Sequence, residues 1–273
     1  MKLKYNLTAL LLILSLGIVY AQNLTLSYEL TYHPFDGDKK ETQTQNYILD
    51  VVDGKSIFRT EMRRTSDSLL ANGKFGMGYN INTLHELYLT KNIKESKINK
   101  VYVSPLSRDR FFISDFKKLD WKISPETVRI GEYNCQKAEV EYGGRHWIAW
   151  FTKDIPISEG PYLFHGLPGL IIQIKDDATD FDFKLAQLRK NINNSLYEAE
   201  EGKEISWVQF NNLLLDYFNN PMNMSALGGK KVMTDDGVGG YKPVNEREFT
   251  KKIQDNLIKN NNPIELTHKI NYK

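Results

Sequence analysis

The sequence predicts a mainly β protein with C-terminal helices, of the α+β class, built on a curved antiparallel sheet or half-barrel. Short segments that alternate apolar and polar residues fill the chain as far as residue 188, and this alternation is typical of strands with one buried face. Glycine, proline, asparagine and aspartate separate the segments, as they do in antiparallel hairpins. Beyond Asn191 the apolar residues recur at helical spacing, which indicates helices.

The predicted strands begin with a well-marked hairpin. Residues 24–32 alternate along one strand, and residues 47–52 and 56–62 form two more, joined by Asp53-Gly54. That dipeptide favours a two-residue turn. Residues 66–78 are rich in glycine and small polar residues, and predict a loop. The remaining predicted strands are 84–89, 100–103, 110–113, 119–123, 128–130, 137–142, 147–151, 170–175 and 181–188.

Two helices are predicted in the last third of the chain. Residues 206–218 carry a stripe of apolar side chains behind a capping box formed by Ser206 and Gln209. Residues 245–259 predict a second helix, and residues 264–273 predict an extended tail or edge strand. The sequence shows no internal repeat and no linker, so residues 22–273 are predicted to form a single domain.

Residues 1–21 have the three parts of a signal peptide. Lys2 and Lys4 precede an apolar run at 9–19, and Ala21 ends the segment with a small residue. The run is too short to span a bilayer comfortably, and no later stretch is apolar enough for a transmembrane helix. The sequence therefore predicts export to the periplasm or the extracellular space.

Charge and cysteine content narrow the classes of partner. The chain has 36 Lys and Arg against 34 Asp and Glu, and loss of Lys2 and Lys4 with the leader makes the two numbers equal. Such a balance gives no reason to expect nucleic acid as a partner. Cys135 is the only cysteine, so it has no partner for an internal disulfide, and we predict a small buried side chain.

The stretch from 147 to 175 has the most restrictive local chemistry. Its prolines and glycines exclude a helix between two strands. The pattern at 167–170 predicts a type II turn with glycine at the position of positive φ. Gly169→Val is therefore predicted to destabilise the fold, because a β-branched residue resists positive φ. The residues assigned this structural role are Gly160, Pro161, Gly166, Leu167, Pro168, Gly169, Leu170 and Ile171.

The same stretch carries a family resemblance. Residues 166–171 spell GLPGLI, after GEYNCQKA at 131–138, GRHWIAW at 144–150 and IPISEGPYLF at 155–164. In order and spacing these residues resemble the GLPGLI family, exported proteins found mainly in Bacteroidetes whose biochemical function is unknown. The resemblance implies an envelope accessory protein, often encoded near TonB-dependent outer-membrane receptors. It implies no reaction.

Familiar catalytic and metal-binding motifs are missing from the sequence. It contains neither a G-x-S-x-G elbow nor a P-loop. His85-Glu86 begins like a zinc-protease helix, but Leu89 occupies the position of the second histidine. The acidic residues at 176–182 lack the glycine and the terminal glutamate of a calcium loop. We therefore predict no metal and no cofactor.

The signature stretch nevertheless offers side chains suited to binding. Arg145 can hold a carboxylate or phosphate through two hydrogen bonds, and a neighbouring histidine titrates near neutrality. The favoured interpretation is structural: Arg145 pairs with Asp154 or Glu159 and links the loop to the strand. No catalytic residue is assigned. The binding candidates are Arg145, His146, Trp147, Trp150, Asp154 and His165.

Two functions of different classes are consistent with these observations. The favoured one is a non-enzymatic binding or accessory protein of the cell envelope. Its half-barrel, similar in shape to periplasmic lipoprotein carriers, would hold an apolar ligand or dock on an outer-membrane receptor or another envelope protein. The alternative is an extracytoplasmic hydrolase that uses dispersed histidines and carboxylates. A broad apolar groove favours binding, whereas two or more of His146, Asp154, His165 and Asp176 meeting in a cleft favour chemistry.

Overall fold

A computed structural model describes residues 23–35, 39–76, 86–104, 109–198, 202–223 and 232–272. The predicted leader at 1–21 lies outside the described residues, as does the start of the predicted strand at 84–89. The described chain contains fourteen strands and three α-helices. The helices are α1 (Glu61–Ala71), α2 (Trp207–Asn219) and α3 (Glu246–Lys259). The strands are β1 (Leu24–Tyr32), β2 (Gln43–Val52), β3 (Lys55–Thr60), β4 (Leu89–Asn92), β5 (Lys97–Val103), β6 (Arg110–Ser114), β7 (Lys122–Ile130), β8 (Tyr133–Tyr142), β9 (Arg145–Thr152), β10 (Leu170–Asp176), β11 (Phe181–Lys190), β12 (Lys203–Glu204), β13 (Met233–Asp235) and β14 (Tyr241–Pro243).

One sheet contains β1 to β12, and β13 and β14 form a separate hairpin. The strand order in the large sheet is β12-β6-β5-β4-β3-β2-β1-β11-β10-β9-β8-β7. Neighbours are antiparallel except β12 and β6, which are parallel. Within the described residues the sheet is open, with β12 and β7 at its edges. The predicted mainly β fold with C-terminal helices is confirmed.

The sheet curls strongly. β5 and β8 are eight positions apart in the strand order, a separation of about 38 Å in a flat sheet at the usual strand spacing. Yet Lys100 on β5 places its Nζ 2.8 Å from the hydroxyl oxygen of Tyr142 on β8. Two side chains cannot bridge the flat distance, so the sheet must bend to bring these strands face to face. The concave side is called the inner face below.

The inner face carries the main core. Leu26 and Tyr28 of β1, Trp147 of β9 and Phe183 of β11 are fully buried there. The loop between β9 and β10 enters this interior, and its Phe164 ring lies 4.7 Å from that of Trp147, centroid to centroid. A second cluster of buried apolar side chains joins α2, α3 and the C-terminal tail. A cavity lies between these two clusters.

Helix α1 replaces the predicted end of a strand at residue 62 and the start of the predicted loop at 66. Thr60 caps the helix by accepting a hydrogen bond from the backbone N–H of Arg63 at 3.2 Å. The buried residues of α1 are Arg63, Ser66 and Asp67. Asp67 forms an ion pair at 2.8 Å with Arg59 of β3. The helix therefore packs through polar groups. It has no apolar stripe of the kind that predicts a helix from sequence.

The C-terminal tail is not a strand. Beyond α3 it runs as a loop with one 3-10 turn at Leu266–His268. Asn262 and Glu265 are buried, and their side chains bind groups inside the curled sheet, as described below. An edge strand would have left those side chains outside. Cys135 lies within β8 and is 1% exposed, so its predicted burial is confirmed.

Candidate functional site

Arg145 links β9 to two distant parts of the chain. Its Nη1 lies 2.8 Å from Asp176 Oδ2 and 3.0 Å from Asp180 Oδ2, next to the turn between β10 and β11. Its other nitrogens donate to the tail at 262–264: to the Asn262 side chain at 2.5 Å and to the carbonyls of residues 263 and 264 at 3.0 and 3.1 Å. Arg145 is 4% exposed. The guanidinium is therefore a structural anchor with all three of its nitrogens engaged.

Glu159 does not pair with Arg145, as the sequence predicted, but with residues of β3 and β4. Its carboxylate accepts hydrogen bonds from Ser56 of β3 at 2.8 Å and from Lys91 of β4 at 2.5 Å. Asp154 is exposed on the surface. The predicted pairing of Arg145 with Asp154 or Glu159 is therefore wrong. The signature loop is instead held by strands far from β9, because the curled sheet brings β3 and β4 to it.

The candidates on β9 divide between the two faces of the sheet. Successive residues of a strand point to opposite sides, so Arg145 and Trp147 face inward whereas His146 and Trp150 face outward. Trp147 is fully buried, and its indole N–H donates to the carbonyl of Tyr142 at 3.1 Å. His146 and Trp150 are half-buried. The sheet therefore separates Arg145 and Trp147 from His146 and Trp150, and the four side chains cannot form one site.

His165 is the remaining candidate. It is 5% exposed, with Nδ1 2.7 Å from the carbonyl of Leu163. Its own carbonyl accepts a hydrogen bond from the Trp121 indole at 2.8 Å. Burial lowers the pKa of His165, so the imidazole is neutral at physiological pH. The structure gives it no contact with His146, Asp154 or Asp176.

The turn at residues 167–170 is tighter than predicted. The backbone N–H of Gly169 donates to the carbonyl of Leu167 at 2.8 Å, and that of Leu170 donates to Ile155 at 3.1 Å. The first bond is that of a three-residue γ-turn centred on Pro168. Gly169 has φ of +156°, whereas a type II turn requires about +80° at that position. The type II prediction is therefore wrong.

Glycine is required at 169 for a steric reason. A Cβ placed there would lie 2.0 Å from the carbonyl oxygen of Thr152. Gly160 is also confined, since its Cβ would lie 2.7 Å from Ile171 Cδ1. The neighbours Pro161, Leu167, Leu170 and Ile171 are buried, whereas Pro168 and Gly166 are exposed. The loop is thus packed tightly against the end of β9.

A cavity of about 370 Å³ lies between the inner face, α2, α3 and the C-terminal tail. This volume falls at the lower end of the range for small-molecule sites, about 300–1,000 Å³. The described lining is largely aromatic and aliphatic. Representative apolar side chains of the lining are Leu30, Tyr47, Leu87, Tyr102, Phe210 and Leu214. None of the six sequence candidates lines it.

A compact polar cluster forms one wall of the cavity. Glu265 Oε1 accepts hydrogen bonds from Lys100 Nζ, from the Tyr142 hydroxyl at 2.8 Å and from the Tyr162 hydroxyl at 2.7 Å. Tyr162 has φ of +52°, an uncommon conformation for an aromatic residue. That conformation places its hydroxyl on Glu265. The loop, β5, β8 and the tail therefore meet at a single carboxylate oxygen.

Aromatic rings complete this wall. The Trp207 ring stacks on that of His268 at 3.9 Å between centroids and an interplanar angle of 4°. Lys100 Nζ lies 4.8 Å from the Trp207 centroid and 5.3 Å from that of Tyr162, within range of cation–π attraction. These contacts hold the lysine in place and cover it with ring surface.

The protonation states follow from burial and from the neighbouring charges. Burial alone raises the pKa of Glu265, but the Lys100 ammonium and the three hydrogen bonds hold the net pKa below its usual value. Burial lowers the pKa of His268 and raises the pKa of both tyrosines in the cluster. At neutral pH the wall therefore contains one ammonium, one carboxylate, neutral phenols and a neutral imidazole.

The described residues offer little for catalysis. Across the described ranges no three His, Cys, Asp or Glu side chains are placed to hold a metal ion. His146, Asp154, His165 and Asp176 do not meet in a cleft. No helix in the described part of the chain is both long and apolar enough to cross a membrane. What the geometry offers is an apolar cavity with an internally neutralised polar wall.

Comparisons with known proteins agree with the fold and leave the function open. A family described as "Protein of unknown function (Porph_ging)" matches residues 144–173, which cover β9, the signature loop and part of β10. A search of curated protein sequences finds no match. The family match thus coincides with the stretch that holds the signature loop, and its description assigns no activity.

Structural comparison matches the chain to two solved crystal forms of PNGF-II. The structure in the C2 space group has a TM-score of 0.50 at 16% sequence identity, over 71% of this chain and 33% of that one. A second crystal form gives a TM-score of 0.48 at the same identity and coverage. The chain thus spans about a third of the solved protein. The first match is consistent with a mainly β architecture, and the low identity limits the likeness to the fold.

The residues of the polar wall are not among the candidates predicted from the sequence, although the sequence contains one signal for them. Ile98, Lys100 and Tyr102 alternate along β5 and so share one face. A lysine between two apolar residues on an inward face must find a partner or remain an uncompensated buried charge. The pattern indicates that a partner exists. It does not identify Glu265, which lies 165 residues further along the chain.

Proposed function

We propose that this protein is an exported cell-envelope protein of the GLPGLI type that binds an apolar small molecule in its inner cavity without transforming it. The observation that carries the proposal is the cavity itself, which lies between the curled sheet and the C-terminal helices and is lined largely by aromatic and aliphatic side chains. A preformed apolar cavity with a few convergent polar groups is the usual form of a small-molecule site.

Export and envelope location form the second part of the proposal. The leader pattern at 1–21 supports it, as does the resemblance of the signature stretch to exported proteins. An outer-membrane receptor or another envelope protein is the proposed docking partner. A carrier or accessory role would combine the two parts, since the cavity would hold the ligand that the receptor or its neighbours handle.

Blocking the cavity tests the binding function. Leu214 on α2 lines the cavity, and we expect Leu214→Trp to lower the affinity for an uncharged apolar dye such as phenyl-naphthylamine by about tenfold, because the larger ring occupies the space. Val208 lies on the same helix but is 69% exposed, so Val208→Trp is the matched control. Fluorescence titration measures both. Equal affinities in the two variants would show that the dye binds elsewhere.

Export is tested separately from binding. We expect the full-length chain, produced in a bacterium, to be recovered outside the cytoplasm with Gln22 as its first residue. Leu14→Arg places a charge within the apolar run of the leader and should retain the chain, uncleaved, in the cytoplasm. Fractionation followed by mass spectrometry of the N-terminal peptide gives the answer. Recovery of both forms uncleaved and in the cytoplasm would contradict the proposal.

A further inference from the structure

We infer that the ligand of the cavity is an uncharged amphiphile, with an apolar body and a neutral polar end, and that the buried Lys100–Glu265 pair enforces this selectivity. The inference rests on the proposed binding function and specifies its ligand class. It is carried by the charge balance of the lining and by the position of the pair on the cavity wall.

Every charged residue in the described lining already has a partner of opposite charge. These residues are Glu86, Lys100 and Glu265. Glu86 forms an ion pair with Arg63 at 2.7 Å and also accepts a hydrogen bond from the Thr60 hydroxyl. Lys100 and Glu265 pair with each other. An ionised headgroup placed against this lining would therefore lose hydration without gaining a counter-charge, which is unfavourable.

The Lys100–Glu265 pair is also held rigidly. The side chains of both residues are only 10% exposed. Tyr142 and Tyr162 both donate to Glu265, and the Trp207 ring lies against Lys100. One further carboxylate, Asp115, lies 3.7 Å from Lys100 and is shared with the exposed Lys117. A ligand cannot readily separate this pair, so neither member is available as a partner for an incoming charge.

The rest of the polar lining is uncharged and suits a neutral headgroup. It consists mainly of amide side chains. Two of these amides donate hydrogen bonds within the protein: Asn260 donates to the Asn256 side chain, and Asn261 donates to the carbonyl of Ile270 at 2.7 Å. The side-chain oxygens of the other four amides already accept hydrogen bonds within the protein: those of Gln43, Gln45, Asn256 and Asn262. Among the described lining amides, the side-chain oxygens of Asn260 and Asn261 are therefore the ones left for a hydroxyl or amide of a ligand. The aromatic and aliphatic remainder accommodates the apolar body.

Three probes that differ only in the charge of their headgroup test the inference. We use decanol, decanoic acid and decylamine at about pH 7.5, where the acid is ionised and the amine is protonated. Each displaces the uncharged dye from the mature protein, residues 22–273. We expect decanol to bind about tenfold or more tightly than either charged probe, because only the charged probes bring an uncompensated charge into the cavity.

Two variants with opposite effects test the role of the pair. Glu265→Gln keeps the shape of the side chain and leaves Lys100 with only the more distant Asp115, so the affinity of decanoic acid relative to that of decanol should rise about tenfold. Lys100→Met leaves Glu265 without a cation, so decylamine should gain instead. Glu126→Gln is the matched control, because it removes a carboxylate that is 60% exposed from an ion pair on the edge strand β7. Thermal melts establish which variants are folded.

The outcomes separate the inference from the function on which it rests. Selectivity for decanol in the parent, with the two opposite shifts in the variants, supports both. If an ionised probe binds the parent as tightly as decanol, the inference is overturned and the binding function stands. If none of the probes displaces the dye from the parent, the inference is overturned, and the dye titration of Leu214→Trp against Val208→Trp decides the binding function separately. Should the variants fail to fold, the order of the three probes on the parent protein still decides the question.

Discussion

Gly169→Ala is expected to lower the free energy of unfolding by about 3 kcal/mol or more, the upper range for steric overpacking in a core. The added Cβ would lie 2.0 Å from the carbonyl oxygen of Thr152 and 2.7 Å from its carbonyl carbon. Both atoms belong to the backbone at the end of β9, so no side-chain rotation relieves the clash. Urea unfolding followed by tryptophan fluorescence measures the loss.

Gly166→Ala is the matched control for this effect. Gly166 lies in the same loop with φ of +95°, but its nearest neighbour to an added Cβ is the Trp121 side chain at 3.7 Å, an ordinary contact. Its alanine variant should lose only the cost of left-handed backbone, about 1–2 kcal/mol. Equal losses in the two variants would show that conformation, rather than close approach to Thr152, governs position 169.

Arg145→Met is expected to lower the free energy of unfolding by about 3–5 kcal/mol, the usual result of removing one partner from a buried ion pair. The change leaves the fully buried Asp176 without its guanidinium partner. It also removes three hydrogen bonds to the tail at 262–264. Arg129→Met is the control, because Arg129 is exposed on β7. Urea unfolding at neutral pH measures both variants.

The pH dependence of this loss identifies the group that causes it. Burial raises the pKa of Asp176 even in the parent, and removal of Arg145 should raise it further. A carboxyl group with a raised folded-state pKa stabilises the fold below its unfolded pKa, about 3.9, and that contribution is lost as the pH rises through the folded-state pKa. The difference between parent and variant should therefore narrow as the pH falls. A constant difference would point to lost packing, and Asp176→Asn in the variant background would then restore nothing.

The strands could be predicted because burial on one face leaves a visible alternation. In β1 the inward residues Leu24, Leu26, Tyr28 and Leu30 are all buried, and the sequence shows them at every second position. Helix α1 escaped prediction for the opposite reason. Its buried side is formed by Arg63, Ser66 and Asp67. Asp67 pairs with Arg59 and Arg63 pairs with Glu86, so the helix packs through polar groups and has no apolar stripe.

The signature stretch could be recognised from the sequence, but its partners could not. Its density of glycine and proline predicted a stretch without a helix, because such residues exclude regular structure, and the structure has neither helix nor strand between β9 and β10. The contacts of Glu159 with Ser56 and Lys91 depend on the curl of the sheet. So do those of Arg145 with the tail. Curl is a property of the whole sheet and leaves no local pattern, which is why the predicted pairing within the loop was wrong.

The residues of the polar wall could not be predicted from the sequence either, because it is the curl of the sheet that brings them together. Lys100 is on β5, Tyr162 in the signature loop, Trp207 at the start of α2, and Glu265 and His268 in the tail. No pair of these elements is adjacent in the sequence. A charged residue among apolar ones in β5 is a sign that a partner is needed. Nothing in the sequence of the tail, which was predicted to be extended or an edge strand, marks Glu265 as that partner.

The central claim is that an apolar ligand enters the inner cavity, and the indole N–H signals of the protein test it most directly. The chain has four tryptophans. Trp207 lines the cavity, Trp147 is buried in the main core, and Trp150 is on the outer face. A heteronuclear NMR titration with decanol is predicted to shift the Trp207 signal while the signals of Trp147 and Trp150 stay in place. A shift at Trp150 without one at Trp207, or no shift at saturating decanol, would contradict the claim.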